Sequence, residues 1–80
     1  MLMDIQSIQK LFEQQFTSAH LEVTSEGNHL NVLIVSDAFE GLNPVKRQQA
    51  VYAVLNDKIA SGEVHAVHIK TFTPAQWAAQ

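Results

Sequence analysis

The stretch Val64-His65-Ala66-Val67-His68-Ile69-Lys70-Thr71-Phe72-Thr73-Pro74-Ala75-Gln76-Trp77 changes its period midway, and that change dictates a strand running straight into a helix. From Val64 to Thr71 the residues alternate, with His65, Val67 and Ile69 on one face and Ala66, His68 and Lys70 on the other. Alternation of this kind belongs to a half-buried strand. Thr73 and Gln76 then stand at capping-box spacing, Pro74 fills the first helical position, and Phe72 and Trp77 take the two positions of a hydrophobic staple. A core strand followed by a docked, capped helix is the expectation.

The preceding residues supply the partners that such a strand needs. Ile5, Ile8, Leu11, Phe12 and Phe16 recur at three- and four-residue steps, an amphipathic helix of roughly four turns. Leu21, Val23 and Ser25 alternate with His20, Glu22, Thr24 and Glu26; Gly27-Asn28 interrupts; then Leu30, Val32 and Ile34 alternate with His29, Asn31, Leu33 and Val35. Two alternating runs about a glycine-containing pair predict a hairpin, and the second strand, apolar on both faces in its latter half, belongs at the centre of the sheet.

A loop around Gly41 follows, with a short helical turn at Ala38-Phe39-Glu40. Asn43-Pro44 caps and starts a long helix, whose stripe is Val51, Val54, Leu55 and Ile59, with Val45 and Tyr52 flanking it and Gly62 ending it. The order helix, strand, strand, helix, strand, short helix predicts an α+β fold: a three-stranded mixed sheet with helices on one face. The first two strands pair antiparallel, and the crossover helix makes the second and third parallel.

At 80 residues and 46% hydrophobic content, residues 1–80 form a single domain with one small core. No cysteine is present, which excludes disulfides and any thiolate metal site built by this chain alone. Apolar runs such as Val32 to Val35 are too short to span a bilayer, and the expected compartment is cytoplasmic. Five basic residues against eight acidic ones leave a net charge of -3, a poor balance for gripping phosphate backbones. No Ser-His-Asp set, carboxylate pair or glycine-rich phosphate loop is visible, so catalysis is not expected.

Three ordered motifs carry a resemblance: Asn28-His29-Leu30-Asn31-Val32; Phe39-Glu40-Gly41-Leu42-Asn43-Pro44-Val45-Lys46-Arg47-Gln48 followed by Val51-Tyr52; and His65-Ala66-Val67 running to Thr73-Pro74-Ala75-Gln76-Trp77. In these the chain resembles the BolA-like family, in particular its short bacterial IbaG type. The resemblance implies a type II KH-like fold, α-β-β-α-β-α. It further implies a non-enzymatic role in iron–sulfur metabolism and stress response, in which a monothiol glutaredoxin of the CGFS type and this chain share a 2Fe-2S cluster with glutathione. A DNA-binding regulator is the alternative that the family suggests. Expected partners are thus a monothiol glutaredoxin or DNA and no membrane, the chain alone being a monomer or a weak homodimer.

The resemblance marks His65 as a cluster ligand and His29 as a candidate second one. By spacing alone His65 is a hydrogen-bonded residue at the core's edge. Alternation also sets His29 and His65 on opposite faces, so they meet at one metal only if a bulge or a twisted strand end brings them round. The family's second ligand usually lies in a longer loop between the first two strands, shortened here to Gly27-Asn28. A cysteine-free chain can give iron only imidazole nitrogen, so thiolates must come from a partner. His68 lies an odd step from His65 and points elsewhere, and neither it nor His20 receives a role.

Lys46, Arg47 and Lys70 are the cations available to a partner or to nucleic acid, and Lys46 and Arg47 would suit glutathione carboxylates on a glutaredoxin. The GXXG clamp of nucleic-acid-binding KH domains is absent: the corresponding connection reads Gly41-Leu42-Asn43-Pro44.

Overall fold

The computed structural model describes residues 4–17, 19–27 and 29–80. Its elements follow the predicted order: α1 (Ile5–Gln15), β1 (His20–Glu26), β2 (His29–Val35), a 3-10 turn (Asp37–Phe39), α2 (Pro44–Ala60), β3 (Ala66–Phe72) and α3 (Pro74–Ala78). Helix α1 begins at Asp4, whose carboxylate accepts from the Ser7 hydroxyl at 2.9 Å and the Ser7 amide at 3.2 Å. Those bonds, the hydroxyl's first, hold the Asp4 carboxyl below its ordinary value of 3.8. The helix spans 11 residues, about three turns and one fewer than its periodicity predicted, because Phe16 leaves helical geometry while still donating its amide to the Phe12 carbonyl.

Strands β1 and β2 pair antiparallel from Glu26 opposite His29 to His20 opposite Val35, so the hairpin closes over two residues. Gly27 adopts φ 61°, the left-handed conformation that such a turn demands. Asn28, the other turn residue and the first of the first family motif, lies outside the described residues. Strand β2 is central and runs parallel to β3, with Leu30 opposite Val67 and Val32 opposite Ile69.

The two long helices bury one face of this sheet. Ile8, Phe12, Leu30, Ile34, Phe39, Val51 and Leu55 are fully inaccessible and form one cluster, with Leu21, Val23, Val67 and Ile69 packed against it. The stripe predicted for α2 holds at Val51, Val54 and Leu55 but fails at Ile59, which is 38% exposed. Asn43 caps α2 through a bond from the Lys46 amide at 2.9 Å, and Gly62 ends it at φ 82°.

The connection from α2 into β3 differs from the expected alternation. Val64 donates its amide to the Lys58 carbonyl and buries its side chain to 2% exposure, so residues 64 and 67 both face the core. Between them the chain turns, and β3 starts at Ala66. His65 is therefore exposed and lies outside the strand, where alternation had put it on the helix-covered face.

The end of β3 forms as predicted. Thr73 Oγ1 accepts from the Gln76 amide at 3.1 Å, Gln76 Oε1 accepts from the Thr73 amide at 2.9 Å, and the Phe72 and Trp77 rings lie 5.3 Å apart. Trp77 also stands 5.6 Å from the His20 ring. His20 and Phe72 flank Val35 in the sheet, so Trp77 covers one end of the face that the long helices leave open, and Val35 there is only 7% exposed.

Candidate functional site

The face of the sheet away from α1 and α2 reads row by row. Val35 lies between His20 and Phe72, Leu33 between Glu22 and Lys70, Asn31 between Thr24 and His68, and His29 between Glu26 and Ala66. At the Trp77 end the face is aromatic and closed. At the opposite end it carries His29 and His68, with His65 exposed one residue before β3 begins.

Two features put them there. Parallel strands begin at the same end of a sheet, so the starts of β2 and β3, with His29 opposite Ala66, lie beside the hairpin tip. The early exit of Val64 into the core then leaves His65 exposed, one residue before Ala66. Adjacent strands are about 4.8 Å apart, which brings the backbones at 29 and 65 within about 10 Å of each other. Alternation no longer assigns His65 a face, since residue 65 lies outside the strand.

His29 and His68 line a shallow depression of about 210 Å³, together with Glu26, Asn31 and Ala66. This pairing was not foreseen. His68 was placed on the open face by parity, but its nearness to His29 follows from the register between β2 and β3, which no local pattern reveals. Among the described residues only His20 has a hydrogen-bonded ring, its Nε2 lying 2.8 Å from Glu22 Oε2. The rings of His29, His65 and His68 have no such partner there.

No three His, Cys, Asp or Glu side chains among the described residues converge to hold a metal ion. The histidine end thus offers imidazole rings at an exposed rim rather than a closed coordination shell. Any metal seated here takes its remaining ligands from another molecule.

The three cations singled out from the sequence do not gather. Lys46 is exposed on α2, on the helix side of the sheet, whereas Lys70 lies on the open face, lining a second depression of about 380 Å³ with Glu22, Thr24, Leu33 and His68. Arg47 is engaged within the fold. Its Nε donates to the Leu42 carbonyl at 2.9 Å, its Nη1 donates to Gln76 Oε1 at 2.9 Å, and its guanidinium lies 5.8 Å from the centre of the buried Phe39 ring. It braces the loop before α2 against the cap of α3.

The fold and its rim define a small α+β domain of a three-stranded mixed sheet, two long helices and three exposed histidines near one end of the sheet. Known proteins share both sequence and shape: residues 8–76 match the family model described as BolA-like protein. The chain is 38% identical over 76 residues to the acid stress protein IbaG of Escherichia coli K12, covering 95% of this chain and 90% of that one. The BolA domain of SufE1 from Arabidopsis thaliana superposes with a TM-score of 0.81 at 36% identity, covering 89% and 92%. A Bol-like protein from Babesia bovis superposes with a TM-score of 0.85 at 26% identity, covering 99% and 94%. The chain belongs to the BolA-like family.

Proposed function

We propose that this chain is an accessory protein, not a catalyst, that shares a 2Fe-2S cluster with a monothiol glutaredoxin and glutathione in iron–sulfur cluster assembly, trafficking or regulation. The observation that carries the reading is His65, an exposed imidazole hydrogen-bonded to no described residue, standing at the sheet end beside His29 in a chain without cysteine. Such a ring gives iron one neutral nitrogen, and the thiolates come from the partner and from glutathione. The name of the Escherichia coli relative, an acid stress protein, fits a role under stress.

His65 is the nitrogen donor and His29 the second candidate. Lys46 and Lys70 remain exposed cations for the glutathione carboxylates or an acidic partner surface. DNA binding is disfavoured on the same grounds: Lys46 and Lys70 lie on opposite sides of the sheet, and Arg47 is tied to Leu42 and Gln76.

Mixing the chain with a CGFS glutaredoxin carrying cluster and glutathione tests the proposal by visible absorption and circular dichroism. The expected result is a heterocomplex whose cluster bands differ from those of the glutaredoxin alone, and His65→Ala removes that difference. Spectra unchanged on mixing, or identical for wild type and His65→Ala, overturn the assignment.

A further inference from the structure

On the open face of the sheet every paired position bears a side chain larger than a methyl group except Ala66. That methyl stands between two imidazoles. His29 lies directly opposite it on β2, and His68 follows it by two residues on β3, opposite Asn31. A strand spacing of about 4.8 Å and a two-residue rise of about 6.6 Å put the backbones at 29 and 68 about 8 Å apart on one face. Both side chains are exposed, and both line the depression whose remaining wall includes Ala66 and Glu26. Leaning over the methyl, the two rings can reach one ion at the ~2.0–2.1 Å of a metal–nitrogen bond.

We propose that His29 and His68 form a two-imidazole site for a divalent ion of the zinc and copper class, with water in the remaining positions. The site does not rest on the cluster reading: His65 lines no part of the depression, no glutaredoxin takes part, and the two sites share only His29. Imidazole suits Zn2+, Ni2+ and Cu2+, whereas Mg2+ and Ca2+ demand a shell of oxygens that this face does not supply. With no third His, Asp or Glu converging among the described residues, the donors impose little geometry, so Cu2+ binds more tightly than Zn2+.

Charge favours a cation at this spot. Glu26 is the cross-strand partner of His29 and lines the same depression. Lys70, the one Lys or Arg that the described residues put on this face, stands in the row of Glu22 and lines the other depression instead. The whole of α2 separates His29 from His68 in sequence, so only the folded register of β2 and β3 brings them together. An ion held by both ties two parallel strands that no turn joins, and it stabilises the native chain by mass action.

Isothermal titration calorimetry of the untagged chain with Zn2+, and electron paramagnetic resonance with Cu2+, test this. One ion per chain is expected, with a Cu2+ spectrum coupled to two imidazole nitrogens. The second imidazole binds intramolecularly, so His29→Asn and His68→Asn are each expected to weaken Zn2+ binding about a hundredfold. His20→Gln, at the other end of the face, binds like the wild type, and Mg2+ does not compete. Zn2+ raises the urea midpoint of the wild type and of His20→Gln but not that of His68→Asn, and far-UV circular dichroism verifies that each variant is folded. A wild type that takes up no Zn2+, equal affinity in the wild type and His68→Asn, or an ion kept by His68→Asn and lost in His65→Ala each overturns the proposal.

Discussion

Arg47 and Lys46 are neighbours in sequence with opposite fates. Read as a basic pair they look equivalent, yet Arg47 lies four residues before Val51 and shares its helix face, while Lys46 is turned outward. The core periodicity of α2 carried that signal, and charge drew attention away from it. Arg47 donates to the Leu42 carbonyl and to Gln76 Oε1, and the planar fork suits it for both bonds. Arg47→Ala removes these donors and is expected to cost about 1–3 kcal/mol, whereas Lys46→Ala stays within about 0.5 kcal/mol. Urea denaturation of the two variants checks the contrast, and equal midpoints would remove Arg47 from its bracing role. His65 illustrates the reverse difficulty: resemblance drew attention to it, but its exposure was not legible. Exposure depends on where β3 begins, and the bond from the Val64 amide to the Lys58 carbonyl decides that.

The elements whose ends carry their own chemistry were the readable ones. Asn43 before Pro44, and Thr73 before Pro74 with Gln76 behind it, satisfy free amides at helix starts by hydrogen bonds spanning only three residues, so neighbouring sequence suffices. Thr73 is 7% exposed and its cap sits beneath the Phe72–Trp77 staple. Thr73→Ala is expected to cost about 1 kcal/mol and to loosen α3. Emission from Trp77, the single tryptophan, reports that loosening as a red shift at a urea concentration where the wild type is still native. The end of α1, without such chemistry, was misplaced: the helix stops a turn early at Phe16. The end of α2 at Gly62 was read correctly, but its apolar stripe was carried on to Ile59, which is exposed. Periodicity marks a face but not the point at which the surface beneath it ends.

At the scale of the whole molecule, one core bears the stability. Phe39 comes from a 3-10 turn of only three residues, yet it is fully buried, its ring lies tilted 5.4 Å from that of Phe16, and it sits under Arg47. Phe39→Ala is expected to cost about 3–5 kcal/mol, against a total near 4–12 kcal/mol for 80 residues, leaving the chain marginal at 25 °C. Thermal unfolding followed by far-UV circular dichroism measures this, and a midpoint within a few degrees of the wild type would show that the core closes without that ring. The sequence by itself determined the order of elements, the hairpin, the central place of β2, the helix caps and the lack of any thiolate ligand, because each depends on period, on a nearby hydrogen bond or on composition. Only the tertiary structure decided the rest: that His68 lines the same depression as His29, that Lys46 and Lys70 lie on opposite sides of the sheet, and that Arg47 reaches Gln76, 29 residues away. Those relations pass through register and packing between distant segments, and a two-residue shift in the start of β3, from Val64 to Ala66, was enough to carry His65 from the expected core face to the rim.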